Sequence, residues 1–178
     1  MEQDSAPRPV RPVAPRDHCL GSPEASTALV EYGDYEDPAC ALAEPEVQRV
    51  VKELGDRLCF AFRNFPMSDR HPNARAAAEA AEAADMQGHF WLMHNRLILR
   101  QGVLDAASIR EVARSIPLDM HEFERDLTSG EPARRVTEDW ESGQRHGVRQ
   151  TPTFFVNGQL YRGVPDFLPL LKAVTGEP

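Results

Sequence analysis

The sequence predicts an α/β fold in which a long helical segment separates two parts of one sheet. Three patterns indicate this: an apolar strand, a helix and a second apolar strand before residue 67, a helical pattern from 73 to 147, and a β-hairpin before a last helix. At 178 residues the chain is long enough for one domain with a substantial core. We expect an N-terminal arm (1–26), a βαβ part (27–72), a helical insertion (73–147) and a ββα part (148–178).

The composition argues against several classes of function. The net charge is −8 and the basic residues are scattered, so nucleic acid is not an expected partner. No run approaches the roughly 20 apolar residues that span a bilayer, and no signal-peptide pattern is present, so we expect no membrane insertion and a cytoplasmic location. The odd set Cys19, Cys40 and Cys59 lacks metal-ligand spacing. We therefore expect free thiols, no metal and no cofactor.

The N-terminal arm is expected to be extended. It contains five prolines and few apolar residues, so it buries too little surface to fold alone. His18 and Cys19 have no further ligands nearby in the sequence, so we predict no metal or redox site from this pair.

The first strand and helix form the most distinctive stretch. The run Ala28–Tyr32 is apolar, β-branched and aromatic, which is typical of a strand. Asp37 is a good helix N-cap, and Pro38 suits the first helical position because its missing N–H would have no partner there. The helix is expected to extend to about Leu54, which places Cys40 in its first turn.

The middle of the chain predicts a central strand and five helices. The continuous apolar run 58–62 is typical of a strand covered on both faces, with Cys59 as core. His89 and His94 are five residues apart and do not share a helix face, so we expect no metal there. The first of the five helices is predicted to end near Gln87, the second to begin near Phe90 and the third to follow Asp105. The fourth is predicted to begin at Asp119, and the fifth to cover 132–146.

A hairpin and a helix are predicted to close the chain. Asn157 and Gly158 separate two apolar runs, which indicates antiparallel strands at 153–156 and 159–162. A last helix is expected from about Asp166 to Val174.

Two stretches resemble the DsbA-like family of thiol-disulfide oxidoreductases in the thioredoxin superfamily. Residues 31–40 are similar to the family pattern Glu-Tyr/Phe-x-Asp-Phe/Tyr-x-Cys-Pro-x-Cys, and residues 148–158 are similar to its cis-proline loop. The resemblance implies a thioredoxin-like fold with an inserted all-helical, DsbA-type subdomain. It also implies a cis Thr151–Pro152 bond opposite the cysteine helix, where the Thr151 backbone pairs with an extended peptide.

One position departs from the family pattern. Asp37 stands where the family has its attacking cysteine, so the pair reads Asp37-Pro38-Ala39-Cys40 and only the resolving position, Cys40, keeps a thiol. Dithiol exchange needs both thiols. A carboxylate beside Cys40 also opposes a thiolate, because like charges 4 Å apart cost about 1 kcal/mol in water and about 4 kcal/mol at an effective dielectric of 20.

The resemblance assigns the site to six residues. Cys40 and Asp37 occupy the catalytic positions, and substrate binding falls to Pro38, Ala39, Thr151 and Pro152. Candidate partners are a polypeptide or a small thiol such as glutathione.

Three functions stay open at this point. The first is a redox-silent, peptide-binding or chaperone-like module, and the second is an enzyme that uses Cys40 alone, for example on glutathione mixed disulfides. In the third, Cys19 supplies the lost partner of Cys40. DsbA-like glutathione transferases and isomerases also lack the pair, but they carry serine at the position of Asp37. The resemblance extends to DsbA-like domains appended to membrane transporters, so the chain is also compatible with part of a longer protein.

Overall fold

In a computed structural model, residues 13–14, 16–100 and 104–177 are described, and they form one mixed sheet with helices on its faces. The strands are β1 (His18–Gly21), β2 (Thr27–Gly33), β3 (Leu58–Asn64), β4 (Thr153–Val156) and β5 (Gln159–Leu160). The helices are α1 (Pro38–Leu54), α2 (Ala74–Asp85), α3 (Phe90–Ile98), α4 (Ala106–Arg114), α5 (Met120–Leu127), α6 (Glu131–Arg145) and α7 (Phe167–Thr175), and a short 3-10 turn (Gly55–Arg57) precedes β3.

The sheet has the strand order β1-β3-β2-β4-β5. β2 and β3 are parallel and are joined by α1, whereas β1, β4 and β5 each pair antiparallel with a neighbour. Every residue of β3 is buried, as the continuous apolar run predicts for a strand covered on both faces. In the described part of the chain between β3 and β4, five helices occupy the segment where the helical pattern was predicted.

Strand β1 was not predicted. It lies in the stretch expected to be an extended arm, and it pairs with β3 from His18 opposite Phe62 to Gly21 opposite Cys59. The reason is physical: a four-residue edge strand carries no periodic signal of its own, and its stability comes from pairing with a strand some 40 residues away. Residues 1–12 and 15 of the predicted arm lie outside the described part of the chain.

Local signals predicted the ends of α1 and the turn of the hairpin correctly. Asp37 caps α1, and Gly55 follows its last turn with a φ of 51°. The turn between β4 and β5 has positive φ at both central residues, 48° at Asn157 and 82° at Gly158, as a two-residue hairpin requires. β5 ends at Leu160, earlier than predicted, although the Tyr161 N–H still donates to the Phe154 carbonyl at 2.9 Å.

Small contact residues let the helices of this segment pack closely. Five alanines of α2 are completely buried, and α2 packs against both α3 and α6. In α6, a Cβ at Gly143 would lie 2.5 Å from the Phe65 ring, so this helix touches the aromatic core directly. None of the described helices combines the length and the apolar character needed to cross a membrane.

Candidate active site

The turn between β2 and α1 is shaped by the buried carboxylate of Asp34. Its Oδ1 accepts a hydrogen bond from the Glu36 N–H at 2.8 Å, and its Oδ2 accepts from the Met67 N–H at 2.7 Å and lies 2.8 Å from His71 Nδ1. These bonds hold the turn against the loop after β3. The conformation of the chain just before α1 is therefore fixed by Asp34.

Asp37 occupies the exposed end of α1 and has two hydrogen-bond partners. Its Oδ1 accepts from the Ala39 N–H at 2.9 Å, which is the predicted N-cap interaction. Its Oδ2 accepts from the Thr151 hydroxyl, so the same carboxylate joins the helix to the loop before β4. Asp37 is half-buried, whereas Pro38 and Ala39 are exposed.

Cys40 lies one turn deeper and is completely buried. Burial is the main cause that raises the pKa of its thiol well above the ordinary value, and the negative charge of Glu31 adds to it. The Asp34 N–H, 3.4 Å from the sulfur, acts in the opposite direction. Asp37 also raises this pKa, in the direction that the sequence predicted, but burial is the larger cause.

We predict that native Cys40 is alkylated slowly by iodoacetamide at neutral pH. The thiolate is the reacting form, and a buried thiol with a raised pKa supplies little of it. Labelling followed by mass spectrometry should be at least about tenfold faster after unfolding in urea without reductant. Rapid labelling of the native protein would instead favour the single-cysteine enzyme.

A buried acid beneath the cysteine was missed as a site residue. Glu31 is only 1% exposed, and its Oε2 has no hydrogen-bond partner among the described residues. Burial raises its pKa well above the ordinary value, and the charge of Glu44 adds to this. Glu44 stands four residues after Cys40, on the buried face of α1. This i, i+4 spacing of a carboxylate and a cysteine was the available signal.

A chain of polar contacts continues from Glu44 into the helical segment. Glu44 Oε2 lies 3.5 Å from His94 Nε2, and His94 Nδ1 lies 3.1 Å from the Tyr35 hydroxyl. His94 is completely buried between aromatic rings. Its contacts belong to the core behind Cys40.

The loop before β4 lies against the N-terminal end of α1. The Thr151–Pro152 bond is cis, as expected from the resemblance. Thr151 is buried and Pro152 is half-buried. No described residue makes a hydrogen bond to the backbone N–H or C=O of Thr151. The predicted residues Asp37, Ala39, Thr151 and Pro152 are therefore brought together, with Cys40 beneath them.

A groove of about 530 Å³ opens beside this loop. One wall is the stretch 147–153, the other is β5 with the loop that follows it, and Ala39 stands at the end nearest α1. Pro38 is exposed on the same helical turn but is not among the lining residues. The groove could receive an extended chain across the free Thr151 backbone.

The cysteines pair differently from the expectations. Cys19 and Cys59 form a disulfide with Cα atoms 5.9 Å apart, and Cys40 is the free thiol. The expected free thiols at Cys19 and Cys59 and the proposed Cys19–Cys40 exchange pair are therefore wrong. The cause is β1, whose antiparallel pairing places Cys19 opposite Ala61, two residues from Cys59 on the same strand.

His18, Glu82 and Asp85 form a cluster of metal-ligand type that is better explained as an ion pair. His18 Nε2 lies 3.0 Å from Glu82, and its Nδ1 lies 3.3 Å from Asp85. Burial alone would lower the pKa of His18, but hydrogen bonds to Asp85 and Glu82 outweigh it and raise the pKa to about 9. A protonated ring with both nitrogens engaged offers no lone pair to a metal.

Comparisons with known proteins agree with this architecture. A family described as thioredoxin matches residues 14–174. A thioredoxin-like oxidoreductase from Silicibacter pomeroyi superimposes with a TM-score of 0.83 at 29% identity over 92% of each chain. Oxidised BdbD from Bacillus subtilis superimposes with a TM-score of 0.82 at 23% identity, over 97% of this chain and 98% of that one. This second similarity supports the fold alone. The predicted thioredoxin-like fold with inserted helices is confirmed.

The similar curated proteins are much longer than this chain. Na(+)/H(+) antiporter NhaA 1 of Salinispora arenicola is 42% identical over 165 residues, which are 92% of this chain and 25% of that protein. The chain therefore spans about a quarter of the length of this relative.

Proposed function

The chain belongs to the thioredoxin family, and from this premise we propose that it is a DsbA-like member that binds extended polypeptide without catalysing dithiol exchange. The observation that carries the proposal is the residue at the attacking position. Asp37 caps α1 there and accepts a hydrogen bond from Thr151, while Cys40 is completely buried beneath it. A carboxylate does not replace a thiolate in attack on a disulfide, so the site lacks the first step of exchange.

Peptide binding is supported by the groove beside Pro152. The Thr151 N–H and C=O are unpaired within the described chain, so an extended segment can hydrogen-bond to them as it would to a strand edge. Pro152, Thr153 and Leu160 add further lining beside this backbone. Binding of this kind needs no thiol.

Two measurements test the proposal together. The parent protein should not accelerate insulin reduction by dithiothreitol, and it should bind a fluorescein-labelled insulin B chain whose cysteines have been alkylated, followed by fluorescence anisotropy. The alkylated chain cannot exchange disulfides, so its binding reports the groove alone. If the parent reduces insulin and Cys40→Ala does not, the proposal is wrong and the protein is a single-cysteine enzyme. Activity toward glutathione mixed disulfides belongs to that alternative.

We further propose that the domain works as a module of a longer membrane protein. The similarity to an antiporter four times as long supports this, because the match covers nearly all of this chain but only a quarter of that protein. Antibodies raised against the domain should detect, in the membrane fraction of the source cells, a polypeptide about four times as long. A single band at 19.9 kDa outside that fraction would contradict it.

The pairing of Cys19 with Cys59 indicates the compartment in which the domain works. A cytoplasmic location was expected because the sequence shows neither a membrane-spanning run nor a signal-peptide pattern, but the Cys19–Cys59 disulfide supports an oxidising compartment. We therefore propose that this domain lies on the oxidising side of the membrane. Acid quenching of cells followed by maleimide labelling of the denatured protein should count one thiol, that of Cys40, whereas three thiols would restore the cytoplasmic prediction.

A further inference from the structure

The lining of the groove beside Pro152 has an unusual charge for this chain. The protein has 28 acidic and 20 basic residues, yet the groove lining contains two arginines, Arg149 and Arg162, and no carboxylate. Three other surface cavities each include at least one carboxylate in their lining. The groove lining is therefore positively charged, although the net charge of the whole protein is −8.

Both arginines are available to a ligand. Arg149 donates only to the adjacent Val148 carbonyl at 2.9 Å, and Arg162 makes no hydrogen bond or ion pair with any residue in the described ranges. Both residues are exposed. An arginine without a carboxylate partner keeps its planar set of donors free for an incoming one.

Two carboxylates stand next to the groove lining, but they do not neutralise the arginines. Asp37 stands beyond the end of the groove, and its two oxygens are engaged by the Ala39 N–H and the Thr151 hydroxyl. Asp166 lies further along the same wall, close enough to Tyr161 for its charge to raise the pKa of that phenol, after burial as the larger cause. Neither acid forms an ion pair with Arg149 or Arg162.

The two arginines flank the backbone that would pair with a peptide. Arg149 precedes Thr151 by two residues, and Arg162 follows β5 on the opposite wall. Side chains of an extended segment alternate in direction, so a segment crossing Thr151 directs successive side chains toward the two walls. Acidic side chains on such a segment meet a guanidinium on either wall.

We propose that the ligand of this groove is an extended polypeptide segment with at least two acidic side chains, whose main chain pairs with Thr151 and whose carboxylates are bound by Arg149 and Arg162. This inference rests on the proposed function and gives it a substrate class. The two ion pairs provide selectivity and faster association, and the main-chain pairing provides the common part of the affinity.

The test compares three fluorescein-labelled ten-residue peptides that differ only at two positions, where they carry Glu, Gln or Lys. At low salt the parent should bind the Glu peptide about tenfold more tightly than the Gln peptide, and the Lys peptide most weakly. The preference should shrink at about 0.5 M NaCl because exposed pairs are screened. In Arg149→Gln/Arg162→Gln, the Glu and Gln peptides should bind equally.

A charge-matched control separates local from overall charge. Arg96→Gln/Arg114→Gln removes two exposed arginines from α3 and α4 and should keep the full preference for the Glu peptide. Equal loss of preference in both double variants would overturn the proposal, since net charge alone would then explain it.

A second variant separates this inference from the proposed function. Gln150→Trp places a bulky ring on an exposed lining residue and should abolish binding of all three peptides. If the three peptides bind the parent equally and Gln150→Trp still abolishes binding, the groove binds peptide but the acidic class is wrong. If no peptide binds any form, the peptide-binding function fails with it.

Discussion

Asp37→Cys is expected to give the protein the insulin reductase activity that we propose the parent lacks. The substitution places a thiol at the half-buried end of α1, beside exposed Pro38 and Ala39 and three residues before Cys40. A thiol at a helix N-terminus is more readily ionised, and removal of the carboxylate also lowers the pKa of the pair. We expect a rate at least about tenfold above the parent in turbidity-followed insulin reduction.

The structure also predicts the cost of this variant. The Asp37 cap on the Ala39 N–H and the bond to the Thr151 hydroxyl are both lost, and a lost cap typically destabilises by about 1 kcal/mol. A domain of this size should remain folded, which circular dichroism before the assay would verify. The buried Cys40 then resolves the mixed disulfide that the new thiol forms.

Two further variants interpret the result. Asp37→Ser keeps a capping side chain but replaces the carboxylate by a hydroxyl and supplies no thiol, so it should stay inactive. Asp37→Cys/Cys40→Ala should accumulate a stable mixed disulfide with insulin, visible by mass spectrometry, because the resolving thiol is absent. Activity of the parent equal to that of Asp37→Cys would show that Asp37 does not limit exchange. A folded but inactive Asp37→Cys would show that the groove has diverged beyond this residue.

The parts of the site that the sequence predicted correctly depend on neighbouring residues. The start of α1 follows from Asp37 and Pro38, and the hairpin follows from Asn157 and Gly158, because caps and tight turns are determined within about four residues. The resemblance added the cis bond before Pro152. These signals fix the two stretches that meet at the site.

The parts that were missed depend on pairing between distant residues. β1 and the Cys19–Cys59 disulfide bring together residues 40 positions apart, and no local pattern in the arm announces them. Glu31 and Glu44 were not predicted as buried, because carboxylates usually lie at the surface and only the packed sheet and α1 enclose these two. The contact between His18 and Glu82 was missed because these residues are 64 positions apart in the sequence.

His18 is expected to make the stability of the protein depend on pH between about 6.5 and 9. Its folded pKa is raised to about 9 from an ordinary value of 6.5, so the native state holds the proton more tightly than the unfolded chain does. The resulting stabilisation is fully present below pH 6.5 and is lost as the pH rises through 9. At 1.36 kcal/mol per pKa unit it amounts to about 3 kcal/mol at most.

The measurement is urea unfolding without reductant at pH 6.5, 8 and 9.5, for the parent and for His18→Gln. The variant should be less stable than the parent at pH 6.5 and should approach it at pH 9.5, since only the parent loses a charged contact with Glu82 and Asp85 over this range.

β1 should stay attached in the variant because the neighbouring Cys19 is bonded to Cys59. Ionisation of Cys40 in the unfolded chain above about pH 8.5 lowers the stability of both proteins alike and cancels in their difference. His121→Gln, at an exposed residue whose side chain bonds to no described residue, should keep the slope of the parent. If the parent and His18→Gln instead lose stability in parallel from pH 6.5 to 9.5, the ion pair of His18 does not anchor β1 to α2.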